Sequence, residues 1–120
     1  MRDRDASPVA SFLASEYGES MLALQARDLE QAWRHLERAH ILAQTQLIEH
    51  CRSHWMMLSL AVRQRDWREA AGQLLRLSLA PVGNFTGRLP IGNTGRSTIS
   101  AFVPMDIPPD LRAIMERKSN

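Results

Sequence analysis

Cysteine and long apolar runs are almost absent from this 120-residue sequence. The single cysteine, Cys51, cannot form an intramolecular disulfide, which excludes a disulfide-stapled extracellular scaffold. No stretch approaches the roughly 18 uncharged apolar residues that a membrane-spanning helix needs. The charged residues 1–5 lead into no apolar segment of the kind found in signal peptides. We therefore expect a cytoplasmic protein that makes no membrane contact.

A strong excess of charge is also missing. Fifteen Lys and Arg residues stand against 13 Asp and Glu residues, a net charge of +2 that is too weak to indicate nucleic-acid binding. Hydrophobic residues make up 44% of the chain and charged residues 23%, which excludes a disordered or collagen-like protein. The length predicts a single domain over residues 1–120 with a modest core, so a homodimer or a protein partner would be unsurprising.

Glycine and proline are scarce up to residue 80 and frequent after it. Residues 7–80 hold two of the six glycines and one of the six prolines, and are rich in helix-forming residues. We predict four helices there, from Ser7-Pro8 to about 26, from a cap at Asp28 to about 44, from 47 to 64, and from a cap at Asp66 to Pro81, which should end the helix. Residues 81–109 hold four glycines and five prolines and predict an extended, wrapping segment before a short helix at 110–117.

Helices 2 and 4 begin with the same pattern. Arg27-Asp28, followed by Ala and Leu at helical spacing, recurs 38 residues later as Arg65-Asp66. Repeats of this period usually indicate stacked helical hairpins. We therefore predict an all-α fold of two stacked antiparallel hairpins that is similar to tetratricopeptide repeats.

The four histidines lie within a sixth of the chain, at 35, 40, 50 and 54. A helical wheel puts His40 on the inward face of helix 2, with Glu37 on its rim, while His35 should face water. His50 and His54 lie one turn apart on the inward face of helix 3. In an antiparallel hairpin that turns near residue 45, His40 should lie opposite His50, and Glu37 opposite His54.

This arrangement predicts a metal site between helices 2 and 3. The expected ligands are Glu37, His40, His50 and His54, and the weaker candidates are Cys51 and Gln44. Nitrogen and oxygen donors suit Zn, Cu, Ni, Co or Fe, so the identity of the transition-metal ion stays open. The predicted function is a metal-handling or sensing accessory, and we expect a binding protein rather than an enzyme. Two alternatives remain: a tetratricopeptide-like interaction module with a structural His/Glu network, and a metalloenzyme with one open coordination position.

Two other sequence features point to structure rather than chemistry. The segment Gly92-Asn93-Thr94-Gly95 has the composition of a turn and lacks the ending of a phosphate-binding loop. Three tryptophans, at 33, 55 and 67, occupy helical positions typical of a core or an interface.

The sequence also resembles a bacterial family called domain of unknown function 3703. The resemblance covers about residues 27–112 and places histidines at His50 and His54. Ala43 replaces a glycine of the family pattern and Asp106 a proline. The resemblance implies a small bacterial protein and supplies no activity. Its motifs in this sequence are Ala32-Trp33-Arg34-His35-Leu36-Glu37-Arg38-Ala39-His40-Ile41-Leu42 with Gln44, and then Gly92-Asn93-Thr94-Gly95, Phe102, Pro104-Met105, Ile107-Pro108 and Asp110-Leu111.

Overall fold

Helices form all of the regular secondary structure in the described part of the chain. A computed structural model describes the backbone of residues 8–119 and the side chains of residues 9–117. The helices are α1 (Pro8–Gln25), α2 (Leu29–Ala43), α3 (Leu47–Arg63), α4 (Trp67–Thr86) and α5 (Pro109–Ser119). The predicted all-α class is therefore confirmed, while the cap predicted at Ser7 lies outside the described residues. No helix in these residues is long and apolar enough to cross a membrane.

The helices pair as two hairpins. α1 packs against α2 and α3 against α4, while contacts between α2 and α3 join the two pairs. α5 returns from the far end of the chain and packs on α1 and α2. The predicted stacking of helical hairpins agrees with these contacts.

The repeated Arg-Asp pair makes the same turn in both hairpins. Arg27 and Arg65 adopt left-handed backbone conformations, with φ of 60° and 59°. The Asp28 and Asp66 side chains then cap α2 and α4 by accepting hydrogen bonds from the backbone N–H groups three residues later. The sequence repeat therefore encodes a repeated helix stop and start.

Two apolar clusters meet on α2. One joins α1, α2 and α5, and its buried members include Leu13, Leu42 and Leu111. The other joins α2, α3 and α4, and includes Trp33 and Met57. Because both clusters use α2, residues 39–43 at its end are all buried. A histidine in this last turn must therefore find its partners inside the protein.

Trp55 and Trp67 do not lie in the core, which was one of the two positions predicted for them. Both lie largely in solvent, with exposed fractions of 58% and 61%, whereas Trp33 is buried and donates from Nε1 to Gln64. The core position predicted for Trp55 and Trp67 is therefore wrong, while the interface position stays a prediction.

The prediction that Pro81 ends helix 4 is wrong, because α4 continues to Thr86 and ends at Gly87, whose φ is 74°. Pro81 removes one backbone hydrogen bond. The additional turn restores contacts elsewhere, since the Asn84 side chain donates to the backbone oxygen of Gln44 at 3.0 Å and meets His50 at 2.8 Å. The irregular segment therefore starts later than expected. The turn between Pro81 and Gly87 contributes Asn84 to the surroundings of His50.

Candidate metal centre

Three buried histidines form one cluster between α2, α3 and the irregular segment that follows α4. His40 comes from α2, and His50 and His54 come from successive turns of α3. Their ring centroids lie 4.6–5.1 Å apart. One nitrogen from each ring lies within 4.8 Å of the other two, a spacing from which they could hold a metal ion. The predicted convergence of these three histidines is thus present.

An oxygen atom meets the Nδ1 atom of each ring. His40 Nδ1 lies 2.8 Å from the backbone oxygen of Asn93. His50 Nδ1 lies 2.8 Å from Asn84 Oδ1, and His54 Nδ1 lies 2.8 Å from Gln73 Oε1. A backbone oxygen can only accept, so His40 must donate from Nδ1.

The neighbours of the two amides fix the other two tautomers. Asn84 Nδ2 donates to the backbone oxygen of Gln44, and Gln73 Nε2 donates to Glu69 Oε2 at 2.8 Å and to the backbone oxygen of Gly95 at 2.9 Å. Because these partners only accept, each amide must turn its oxygen toward a histidine. All three imidazoles therefore carry their proton on Nδ1.

This tautomer leaves a lone pair on each Nε2 atom. His40 Nε2 and His54 Nε2 lie 3.1 Å apart, and neither can donate to the other. Two nitrogens that bind one tetrahedral zinc ion at about 2.0–2.1 Å lie about 3.3 Å apart, which is close to this separation. A cation between these two nitrogen atoms would bind the lone pair of each one.

Burial keeps the three imidazoles neutral. It lowers the pKa of His40 well below the ordinary value, and the neighbouring His54 and His50 lower it further. Burial also lowers the pKa of His50, and it lowers the pKa of His54 to about 4. At neutral pH the rings are therefore in the form that binds metal ions.

The Gly92–Gly95 segment braces the cluster, a role that composition alone did not reveal. Gly95 has φ of 88°, and a Cβ atom there would lie 2.9 Å from the His40 ring. Asn93 Oδ1 accepts from the backbone N–H of Gly95, while its Nδ2 donates to the backbone oxygens of Ser100 and Val103. The turn thus presents one backbone oxygen to His40 and leaves room for its ring.

Glu37 does not join the cluster, contrary to the prediction that it lies opposite His54. Its Oε2 atom accepts from Arg96 Nη1 at 3.2 Å. Burial raises the pKa of Glu37, and Arg96 opposes that rise. Arg96 also stacks 3.8 Å from the Trp33 ring centroid and forms an ion pair with Glu69 at 3.3 Å. The predicted fourth ligand is therefore held by an arginine from the irregular segment.

The remaining sequence candidates also lie outside the cluster. The Gln44 amide is engaged on both sides, because Nε2 donates to Pro90 and Oε1 accepts from the backbone N–H of Gly92. Cys51 is a free, half-buried thiol whose pKa is raised by burial. His35 does not simply face water, as predicted, because its Nδ1 atom pairs with Glu16 at 2.7 Å.

The supporting residues Asn84, Gln73 and Glu69 were missed by sequence reasoning. Asn84 was hidden by the expectation that Pro81 ends the helix. Gln73 and Glu69 lie one turn apart on α4 and are both buried there, which the sequence did not indicate. Burial alone would raise the pKa of Glu69, but hydrogen bonds from Gln73 and Ser97 lower it below the usual range. Glu69 therefore remains an anion that orients Gln73.

A cavity of about 580 Å³ adjoins the cluster. The three histidines and Asn93 line its buried end. Its other lining residues include the exposed side chains of Arg88 and Phe102, which place its mouth at the surface. A molecule that enters this cavity would therefore reach the histidine nitrogens.

The fold and the cluster define a helical protein with a buried three-histidine site beside an open cavity. The chain belongs to the family described as Protein of unknown function (DUF3703), whose model matches residues 7–115. The resemblance seen in the sequence is thereby confirmed. No curated protein and no solved structure matches the chain significantly, so the likeness to tetratricopeptide repeats stays a prediction.

Proposed function

We propose that the protein binds one divalent transition-metal ion through the Nε2 atoms of His40, His50 and His54. The observation that carries this proposal is a cluster of three buried imidazoles whose tautomers are fixed by hydrogen bonds at Nδ1. A purely structural polar network would alternate donors and acceptors, because each buried polar group needs a partner. Here His40 and His54 present two acceptors to each other at 3.1 Å. A cation satisfies both.

The donor set fits zinc better than cuprous copper or ferrous iron. Cuprous ions favour sulfur ligands, and the Cys51 thiol lies outside the cluster. Ferrous oxygenase sites use two histidines and a carboxylate, and the Glu37 carboxylate is bound by Arg96. Three neutral imidazoles with hydrogen-bonded Nδ1 atoms match the ligands and outer partners of zinc sites.

The site has three protein ligands and adjoins a cavity, so its ion keeps a coordination position for a small molecule. Structural zinc sites use four protein ligands, whereas three ligands and an open position are typical of zinc that acts on a bound molecule. We therefore favour a centre that presents its ion to a small molecule over a closed metal store. This choice retains the metalloenzyme alternative raised by the sequence.

Metal analysis of the protein purified without an affinity tag tests the proposal. We expect one zinc ion per chain, and a zinc titration against a chromophoric chelator should give a single tight site. His50→Ala should weaken zinc binding by roughly 100-fold or more, since it removes a ligand rather than an outer partner, whose loss costs about 10–100-fold.

His35→Ala provides the matched control. His35 lies in the same region of sequence but pairs with Glu16, so its removal should leave zinc affinity unchanged. The proposal fails if zinc, cobalt and copper neither bind stoichiometrically nor raise the melting temperature. It also fails if the two histidine variants lose the same affinity.

A further inference from the structure

The cavity beside the histidine cluster has a largely apolar wall, and the charged side chains that line it are cations. Its apolar side chains include Leu79, Leu89 and Phe102, and its charged residues are Arg76 and Arg88. No Asp or Glu lines it within the described residues. A volume of about 580 Å³ lies within the range of small-molecule sites, about 300–1,000 Å³.

Arg76 is a buried cation that forms no ion pair with a described carboxylate, and the charge of Glu69 only partly offsets the burial that lowers the pKa of Arg76. It lies on α4 with 9% of its surface exposed. Its Nη1 atom donates to the backbone oxygen of Gly72 at 3.1 Å, and Nη2 donates to that of Ile99 at 2.7 Å. Its Nε atom is buried and lacks a hydrogen-bond partner among the described residues. A buried charge in this state is costly unless an anion neutralises it.

Arg76 and the histidine cluster act on the same space. Arg76 and the three histidines line one cavity, and the charge of Arg76 is close enough to His40 and His54 to disfavour their protonation. A divalent ion on the histidines would add to this positive charge. The buried end of the cavity would then favour an anionic group, while the outer walls favour an apolar body.

We propose that the cavity binds a monocarboxylic acid with an apolar chain or ring. The carboxylate occupies the open position of the metal ion beside Arg76, and the apolar body lies against Leu79 and Leu89. This inference rests on the proposed function, because the ion supplies half of the recognition of the carboxylate.

The cobalt-loaded protein provides the test, because the visible spectrum of Co²⁺ changes when a ligand enters its coordination sphere. Three probes separate the two parts of recognition: octanoate has a head and a tail, acetate has only the head, and octan-1-ol has only the tail and a neutral oxygen. Octanoate should change the spectrum and bind at least about tenfold more tightly than acetate or octan-1-ol.

Arg76→Gln should weaken octanoate binding by about tenfold while changing cobalt affinity by no more than about twofold. Arg68→Gln is the matched control, because Arg68 lies on the same helix but is exposed outside the cavity. It should leave octanoate affinity unchanged. Should Arg76→Gln not fold, the comparison of the three probes on the unaltered protein decides the question by itself.

The two proposals fail in different ways. If cobalt binds stoichiometrically but octanoate has no advantage over acetate and octan-1-ol, the ligand inference is overturned and the metal site stands. If Arg76→Gln and Arg68→Gln bind octanoate equally, the role of Arg76 is overturned. If cobalt and zinc do not bind at all, the metal site and the ligand inference both fall.

Discussion

At the scale of single residues, hydrogen bonds behind the histidines decide what the histidines can do. A histidine can donate or accept at either nitrogen, so three clustered rings alone do not define a ligand set. Asn93, Asn84 and Gln73 each place an oxygen 2.8 Å from an Nδ1 atom. Together they leave a lone pair on the Nε2 atom of each ring, and the Nε2 atoms of His40 and His54 lie 3.1 Å apart, a separation that a cation between them would satisfy.

Gln73→Leu tests this role of the outer partners. It removes the acceptor that orients His54, so zinc affinity should fall by about 10–100-fold, as for other outer partners of metal-ligating histidines. Chelator competition measures the change, and Gln25→Leu on the exposed face of α1 serves as the control. Equal zinc affinity in the unaltered protein and in Gln73→Leu would show that the hydrogen bond from His54 to Gln73 does not contribute to zinc binding.

At the scale of elements, the site depends on one helix end and one turn. The turn of α4 beyond Pro81 supplies Asn84, and the turn at Gly92–Gly95 supplies the backbone oxygen for His40. Helical periodicity and the short hairpin predicted that three histidines converge, because both are local properties of α2 and α3. The partners could not be predicted in this way, since His40 and Asn93 are 53 residues apart and the helix was expected to stop at Pro81.

The same difference between local properties and long-range contacts explains why Glu37 does not join the histidine cluster. The helical wheel gave its angle on α2, but its partner Arg96 is 59 residues further along the chain. Nothing in the local pattern could show that an arginine from an irregular segment takes this carboxylate. The sequence therefore predicted the imidazole part of the site and missed what surrounds it.

Gly95→Ala tests the contribution of the turn. A Cβ atom would meet the His40 ring and would also oppose a φ of 88°, so we expect a loss of about 2–4 kcal/mol in unfolding free energy, together with weaker zinc binding. Chemical denaturation and chelator competition measure the two effects.

Gly87→Ala separates backbone strain from contact with the histidine. Gly87 also has a positive φ, 74°, but nothing lies within 4 Å of the position that an alanine methyl group would take there. This variant should lose only about 1–2 kcal/mol and keep its zinc affinity. If both glycine variants bind zinc as the unaltered protein does, Gly95 has no role in positioning His40.

At the scale of the whole molecule, burial of three neutral imidazoles links stability to pH. A folded-state pKa below the unfolded value means that the unfolded chain takes up protons first as the pH falls. The stabilisation is therefore complete above about pH 6.5, the unfolded value, and is lost as the pH falls toward about 4 for His54. Metal-free protein should lose roughly 3 kcal/mol over this range from His54 alone.

Urea denaturation of the chelator-treated protein between pH 4 and pH 7.5 measures this loss. His54→Gln should make the unfolding free energy depend less on pH, because the glutamine amide does not titrate. The Asp and Glu carboxyl groups titrate in both proteins and serve as an internal reference. An identical pH dependence in the two proteins would contradict the assignment.

The homodimer or protein partner expected from the sequence stays a prediction that sedimentation can measure.

Anomalous diffraction at the zinc edge, from crystals grown with zinc, tests the central claim most directly. The account predicts one strong peak about 2.0–2.1 Å from the Nε2 atoms of His40, His50 and His54, with a further ligand from the cavity side. A zinc ion bound instead at His35 and Glu16, or no peak among the three histidines, would contradict it.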